Sequence, residues 1–185
     1  MMNVSDRELL SRFVDTHDEG VFRELVDRHL PLVLGVARRV TLNEDLAGDV
    51  AQQVFVRLAR GANRIPEGLA LAAWLHRVTH HLAIDLVRSE SRRKKREAQA
   101  QPMSAMAPPP STEWTELSGL IDTLVNRLPG KDRDVVLLRY FENRPHREIA
   151  RQLGISEAAA KKRAIRALDK LRAMLERHGI ASATA

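Results

Sequence analysis

Residues 146–175, HREIARQLGISEAAAKKRAIRALDKLRAML, decide how the second half of this chain folds. A short amphipathic helix is predicted to end at Gly154, because glycine tolerates the positive φ of a helix C-cap. Ser156 can cap the helix that follows, and Glu157 suits the positive N-terminal end of that helix. With Ile155 filling the corner, the spacing predicts a helix-turn-helix.

The second helix of this motif has one apolar face and one cationic face. At about 100° per residue, one stripe collects the small and aliphatic side chains Ala160, Ala164, Ala167, Leu168, Leu171 and Leu175. Such a helix fits the major groove of DNA, with its early residues at base edges and phosphates. The predicted DNA contacts are Ser156, Lys161, Lys162, Arg163, Ile165 and Arg166. Charged helix faces are often only solvated, and that alternative stays open.

The overall composition favours a polyanionic partner. The chain has 185 residues, a net charge of +6 and a pI near 10.3, which favour nucleic acid or, less strongly, an anionic membrane surface. No apolar run approaches the roughly 20 residues that span a bilayer, and the first residues do not resemble a signal peptide. The chain has no cysteine, which excludes disulfides and thiolate metal sites. We therefore expect a soluble cytoplasmic protein.

Helical periodicity runs along the chain except in one proline-rich segment. Four helices are predicted in residues 1–98 and four in residues 113–185. Residues 99–112 contain four prolines and no periodicity, which is typical of a linker. The expected fold class is all-α, with two small helical domains joined by a flexible Pro-rich linker and the helix-turn-helix in the second domain.

Capping residues and one proline predict helix boundaries in the first domain. Ser5 or Asp6 can cap the first helix, and Asn43 can cap the third. Pro31 falls inside the second helix and predicts a kink or a short break there, because proline removes one backbone hydrogen bond.

The third and fourth predicted helices each have, beside the apolar stripe that faces the core, a second face that can bind another molecule. On the third helix this face is either a protein interface or an ordinary solvent face, and it carries Asp49, Gln52, Gln53 and Val56. On the fourth, the residues predicted to meet DNA are Arg77, His80, His81, Ile84 and Arg88, followed by Arg92 and Arg93 in a basic run. Such side chains can stack on flipped bases, hydrogen-bond to their edges and neutralise phosphates. The basic run is alternatively a solvated charge cluster.

Four motifs in order resemble the extracytoplasmic-function (ECF) sigma factors of bacterial RNA polymerase. DVAQQVFVRL at 49–58 is similar to the family's polymerase-binding helix. WLHRVTHHLAIDLVR at 74–88 is similar to the helix that opens and reads the minus-ten element. LPGKDRDVVLLRYFE at 128–142 and the helix-turn-helix after it resemble the module that reads the minus-thirty-five element.

The resemblance implies partners and roles for these surfaces. Residues 1–98 would be sigma region 2, and residues 113–185 would be sigma region 4. Core RNA polymerase would bind Asp49, Gln52, Gln53, Val56 and Arg57. Promoter DNA would be the second partner, and an anti-sigma protein is a further candidate. We expect no catalytic residues, no cofactor and no metal, because the chain has no glycine-rich phosphate loop, no cysteine and no carboxylate pair isolated in an apolar setting. Melting DNA would then use binding energy.

The chain also departs from the family pattern. Gln53 replaces an acidic residue, His81 replaces an asparagine, and His80 stands where arginine is frequent. One rival hypothesis is an ordinary helix-turn-helix repressor or activator, which predicts dimers on palindromic sites. A second rival is a metalloenzyme that uses His76 and His80, four residues apart, but the glutamate of a zinc protease motif is missing from the segment between them.

Overall fold

The computed structural model describes residues 4–66, 69–100 and 113–180, without the side chains of 98–100, 113–116 and 118. Every regular element in these ranges is helical, which confirms the predicted all-α class. The helices are α1 Asp6–Thr16, α2 Glu19–Thr41, α3 Glu44–Gly61, α4 Leu71–Ala100, α5 Glu113–Arg127, α6 Gly130–Val136, α7 His146–Leu153 and α8 Glu157–Arg177. A 3₁₀ turn at Ala62–Arg64 follows α3, and a π-helical turn at Leu137–Phe141 extends α6.

The predicted capping residues begin their helices. Ser5 forms a capping box with Glu8, and the side chain of Asn43 accepts a hydrogen bond from the backbone N–H of Leu46. Of the two outcomes predicted at Pro31, the short break is wrong, because α2 is helical from Glu19 to Thr41; the kink stays a prediction. Pro31 lies on the exposed side of α2, where the carbonyl of Asp27 that loses its partner can be hydrated.

Two apolar cores hold the helices together. The N-terminal core joins α1, α2, α3 and α4, and its fully buried side chains include Leu25, Val33, Leu58 and Leu75. The second core combines α5 to α8 with Leu32 and Val36 from α2 and with small side chains of α4. Because residues from both halves fill this second core, we call it the shared core.

Helix α5 lies against both α2 and α4. At Gly119 on α5, an added Cβ would lie 3.2 Å from the backbone carbonyl oxygen of Arg39 on α2. Glycine therefore permits a close approach of the two helices that any larger residue would oppose. We call this contact of α5 and the π-helical turn with α2 and α4 the joint.

The predicted linker falls largely outside the described residues. Its first two residues, Gln99 and Ala100, end α4, and residues 101–112 lie outside the described ranges. The domain boundaries stay a prediction. None of the described helices combines the length and the apolar character needed to cross a membrane.

Candidate nucleic-acid interface

The turn between α7 and α8 has the predicted geometry. Gly154 adopts left-handed φ and ψ angles of 63° and 37°. The backbone N–H of Ile155 donates to the carbonyl of Ala150 at 3.0 Å, which closes the end of α7. The Ser156 hydroxyl accepts a hydrogen bond from the N–H of Ala159 at 3.1 Å, so Ser156 caps α8.

The apolar stripe of α8 is narrower than predicted. Ala160, Ala164, Ala167 and Leu171 are buried, whereas Leu168 remains 38% exposed. The prediction that Leu168 faces the core is wrong. The alanines allow α8 to approach α6 and α7 closely, and this leaves a larger side chain at the edge of the stripe outside the contact.

The opposite face of α8 presents cations to solvent. Lys161, Lys162 and Arg166 are exposed, and Ile165 beside them is 61% exposed. The Lys161 ammonium lies 3.0 Å from the Glu157 carboxylate, one helical turn earlier. The structure therefore brings five of the six predicted contacts to an accessible surface, because Ser156 is exposed as well.

Arg163 is the sixth predicted contact, and it is only half-exposed. It lies on the flank of α8 near Asp134, a buried residue of α6. Burial raises the pKa of the Asp134 carboxyl to about 6, although the positive charges of Arg133 and Arg163 act in the opposite direction. Arg163 thus interacts electrostatically with the buried carboxyl group of Asp134 in its own domain.

Most of the predicted DNA-facing side chains of α4 are accessible. Arg77, His81 and Arg88 are exposed, Ile84 is partly exposed, and the basic run at the end of the helix is exposed. Within that run, which contains the predicted contacts Arg92 and Arg93, the guanidinium of Arg93 lies 2.9 Å from Glu90. Exposed pairs of this kind contribute little to stability and can exchange partners.

His80 is the exception on α4. The prediction that it is available at the surface is wrong for this arrangement, because α5 covers it and leaves it 4% exposed. Its Nε2 lies 3.0 Å from the Thr123 hydroxyl, which itself donates to the carbonyl of Gly119 at 3.1 Å. His80 is therefore the donor to Thr123. Burial and the nearby His76 lower the pKa of His80 to about 4, so its ring is neutral at pH 7.

His76 lies one turn before His80 and is fully buried at the joint. Its Nε2 donates to a carboxylate oxygen of Asp122 on α5 at 3.0 Å, and Arg39 of α2 donates to both oxygens of that carboxylate, at 2.7 Å and 3.0 Å. Burial alone would raise the pKa of Asp122, but the hydrogen bonds from His76 and Arg39 lower it below its usual value. We call these residues, with Asn126 beside His76, the Asp122 cluster.

A second buried group of charges connects the two halves. Nε2 of His29 lies 3.3 Å from an Asp6 oxygen, and Nδ1 lies 3.1 Å from an oxygen of Glu142, which follows the π-helical turn. Arg28 donates to Asp6 at 2.7 Å, and Arg144 lies 2.9 Å from Glu142. We call these five residues the His29 cluster.

The sequence did not predict either cluster. Carboxylates and histidines that end up buried were indistinguishable, by spacing alone, from residues on solvated helix faces. Within the described parts of the chain, no group of three or more His, Cys, Asp or Glu side chains could hold a metal ion. His76 and His80 instead use their Nε2 atoms to bind α5.

The candidate protein-binding face of α3 is open to solvent. Asp49, Gln52, Gln53 and Arg57 are exposed, and Val56 is 41% exposed. The opposite side of α3 is buried in the N-terminal core through Val50, Val54 and Leu58. An exposed valine among polar groups gives this face a small apolar centre with a polar rim, as protein interfaces have.

Comparisons with known proteins agree in both halves of the chain. A family model described as "Sigma-70 region 2" matches residues 25–93, and one described as "Sigma-70, region 4" matches residues 118–171. The first range contains α3 and most of α4, and the second contains most of α5, all of α6 and α7, and most of α8.

Curated relatives carry the same family name. RNA polymerase sigma factor CarQ of Myxococcus xanthus is 32% identical over 169 residues, which cover 90% of this chain and 95% of CarQ. The ECF RNA polymerase sigma factor SigK of Mycobacterium tuberculosis is 28% identical, with coverage of 93% and 95%. The probable RNA polymerase sigma factor RfaY of Xanthomonas campestris is 29% identical over 73% of this chain, which spans only 35% of the length of RfaY. The chain belongs to the sigma-70 family, in the ECF group of RNA polymerase sigma factors.

Proposed function

We propose that this protein binds core RNA polymerase in the cytoplasm and directs it to promoters by reading a minus-ten element with α4 and a minus-thirty-five element with α8. Residues 1–98 would form the first module, residues 99–112 the linker and residues 113–185 the second module. The observation that carries the proposal is the solvent-exposed cationic face of α8, which begins at a capped helix end in a helix-turn-helix. Family membership supports the assignment.

The chemistry of α8 fits readout in the major groove. Arg166 and Lys162 can donate to guanine O6 and N7 or to phosphates. Ile165, with 61% of its surface exposed among these cations, fits the methyl group of a thymine. Arg163 would contribute less than its neighbours unless it leaves the vicinity of Asp134.

The chemistry of α4 fits single-stranded DNA. His81 and Arg77 are exposed and can stack on a base or hydrogen-bond to its freed edge. Arg88 and the basic run after it would neutralise phosphates of the adjoining duplex. We propose that opening the promoter draws on this binding energy alone, with no catalytic step and no cofactor.

The open face of α3 would bind the polymerase. Val56 would be the apolar centre, with Asp49, Gln52, Gln53 and Arg57 as the polar rim. Gln53 replaces an acidic residue of the family pattern, so a neutral hydrogen bond would stand where relatives use a charge.

Run-off transcription with core polymerase on a random promoter library tests the proposal. We expect transcripts from a shared promoter sequence and co-elution of the chain with core polymerase. An ordinary repressor or activator would bind DNA as a dimer without joining the enzyme. Failure both to co-elute and to direct initiation would refute the proposal.

A double variant of α8 tests the groove assignment within that assay. Lys162→Ala with Arg166→Ala should abolish promoter-specific transcription and leave polymerase co-elution intact. The matched control is Arg172→Ala with Arg177→Ala, which removes two exposed cations from the last turns of the same helix. Full transcription by the first pair, or equal loss in both pairs, would contradict readout by the early residues of α8.

A further inference from the structure

We propose that a cavity between α1, the loop before α4 and α7 binds a small amphiphilic anion, namely a medium-length acyl chain with a carboxylate or phosphate head group. We call this space the α1–α7 cavity. None of the residues proposed to contact DNA or polymerase lines it. The inference therefore goes beyond the proposed function and can fail or hold independently of it.

The α1–α7 cavity has three walls. One face of α1 forms the first wall, residues 62–66 and 69–71 form the second, and Arg144 with side chains of α7 forms the third. Its volume is about 1000 Å³, at the upper end of the roughly 300–1000 Å³ that small-molecule sites occupy. The space is therefore sufficient for a ligand of medium size.

The first two walls are largely aliphatic. Their apolar side chains include Val4, Leu10, Val14, Ile65 and Leu69. All five are only partly buried, so contacts within the chain leave apolar surface open toward the cavity. Among the described residues, none that lines the cavity is aromatic. Nucleobases gain much of their binding energy by stacking on aromatic rings, whereas an acyl chain needs only aliphatic contact. The lining therefore favours an acyl chain over a nucleotide.

The third wall supplies cations. The guanidinium of Arg144 donates to Glu142 through Nε at 2.9 Å and forms no other hydrogen bond within the described residues. The side chain of Arg151 is exposed, and no described residue pairs with it. With Arg7 on α1, three arginines and two carboxylates line the cavity, so its net charge is positive. Guanidinium groups bind carboxylate and phosphate oxygens strongly, often through two parallel hydrogen bonds.

The two carboxylates leave this preference intact. Asp6 lies 2.7 Å from Arg28 and 3.3 Å from His29, so its charge is already paired inside the fold. Its Oδ2 is buried and has no hydrogen-bond partner among the described residues, and a water bound between it and the ligand would satisfy it. Glu148 is exposed and can stay hydrated. The anionic head therefore meets the arginines, and the chain lies along α1 and the loop.

Calorimetric titration of the full chain with monomeric fatty acids tests the site. Octanoate, decanoate and dodecanoate, each below its micelle concentration, should bind with an affinity that rises about two- to fourfold per added methylene, because each buried methylene removes apolar area from water. Equal affinity along the series, or no binding of any member, would overturn the proposal.

The head group is tested at constant chain length. Decanol has the chain of decanoate without its charge, and we expect it to bind about fivefold more weakly, because it makes no charge-assisted hydrogen bond with arginine. Decyl phosphate distinguishes a phospholipid-derived head from that of a fatty acid, according to which of the two anions binds more tightly. Anions that bind no more tightly than decanol would overturn the predicted preference for an anion.

A bulky substitution tests the position of the ligand. Ser11 is an exposed residue of α1 that lines the cavity, and Ser11→Trp should weaken decanoate binding at least about tenfold by occupying space that the chain needs. Arg12→Trp is the matched control, at the next position of the same helix, exposed and outside the lining. Circular dichroism verifies that both variants are folded. Equal affinities in the two variants would contradict the site.

A charge substitution separates recognition of the head group from a general effect on structure. Arg151→Gln should weaken decanoate about fivefold and leave decanol binding unchanged, because only the anion uses the guanidinium. Arg147→Gln removes an exposed cation of α7 that does not line the cavity, and it should change neither affinity. If Arg151→Gln weakened both ligands equally, or neither, Arg151 would not bind the head.

Photocrosslinking locates the chain of the ligand directly. A decanoate analogue with a diazirine at its far end should label peptides that contain Val14 or Leu69, and mass spectrometry identifies them. The labelling should be lost in Ser11→Trp and kept in Arg12→Trp. Crosslinks that fall mainly on other helices would overturn the assignment of this cavity, whatever the outcome of the transcription assays.

Discussion

Helices α8 and α4 are the two proposed DNA-reading helices, but they differ in how far the neighbouring helices cover the face that would meet DNA. The cationic face of α8 is open to solvent, with Lys162 and Arg166 exposed. On α4, His81 is exposed while its neighbour His80 is buried under α5. The difference shows that a sequence pattern can indicate a candidate face, whereas the accessibility of that face depends on what packs against it.

Side-chain chemistry explains which helix could be covered. Long lysine and arginine side chains lose much conformational entropy and hydration when buried. Packing another helix over the cationic face of α8 would therefore be unfavourable. A neutral histidine loses less, provided that one ring nitrogen finds a partner. For His80 of α4 that partner is Thr123 of α5, which lies more than 40 positions further along the chain.

The largest expected effect tests the buried charges that close the joint. His29→Gln leaves the Asp6 and Glu142 carboxylates buried without their shared cation, and we expect the free energy of unfolding to fall by about 3–5 kcal/mol. Urea denaturation at pH 7 measures this. The control Glu44→Gln removes the exposed pair with Arg38, which spans 2.9 Å, and should cost less than about 1 kcal/mol. Equal effects would mean that the His29 cluster contributes no more than a surface ion pair.

The same cluster predicts a pH dependence. Burial alone would lower the pKa of His29, but the carboxylates of Asp6 and Glu142 raise it from 6.5 to about 9. A raised pKa means that the protonated ring stabilises the fold. This stabilisation is complete below pH 6.5 and is lost as the pH rises through about 9. The parent chain should therefore lose stability between these pH values, and His29→Gln should show much less of this loss.

A smaller effect tests whether the packing of α5 against α2 and α4 is part of one cooperative fold. Leu124 of α5 is fully buried in the shared core, and Leu124→Ala should lower the free energy of unfolding by about 3 kcal/mol. Because α2 and α4 contribute to this core, the loss should appear as a shift of one cooperative transition, followed by circular dichroism. Leu58→Ala, in the N-terminal core, is the comparison. If Leu124→Ala shifts only one of two separate transitions, the two halves fold independently.

The sequence predicted those features that depend on neighbouring residues. The caps at Ser5, Asn43 and Ser156, the left-handed turn at Gly154 and the all-α class all follow from local backbone chemistry, and the structure confirms them. Pro31 marks the limit of such local rules, since α2 continues through it without a break.

Features that depend on distant contacts could not be predicted. Nothing near His80 in the sequence indicates that Thr123 would cover it. Nothing near Asp122 indicates that its carboxylate would accept hydrogen bonds from Arg39. Leu168 illustrates the same limit, because its exposure depends on how closely α8 approaches its neighbours. The roles of the predicted DNA and polymerase contacts stay predictions, since they concern molecules that bind from outside the chain.

The smallest expected effect concerns Asp134, near Arg163 of α8, and it is a gain in the free energy of unfolding rather than a loss. Asp134 is buried, one of its oxygens has no hydrogen-bond partner among the described residues, and burial raises its pKa from 3.8 to about 6. For an acid, a raised pKa means that the ionised form destabilises the fold, fully above about pH 6 and no longer below 3.8. Asp134→Asn removes that charge, so it should raise the free energy of unfolding by about 1 kcal/mol at pH 8 and change it little at pH 4. Thermal denaturation at the two pH values measures this difference. Destabilisation at pH 8 would mean instead that attraction between Asp134 and Arg163 outweighs the cost of burial, and that α8 is held in place by a charge beneath it.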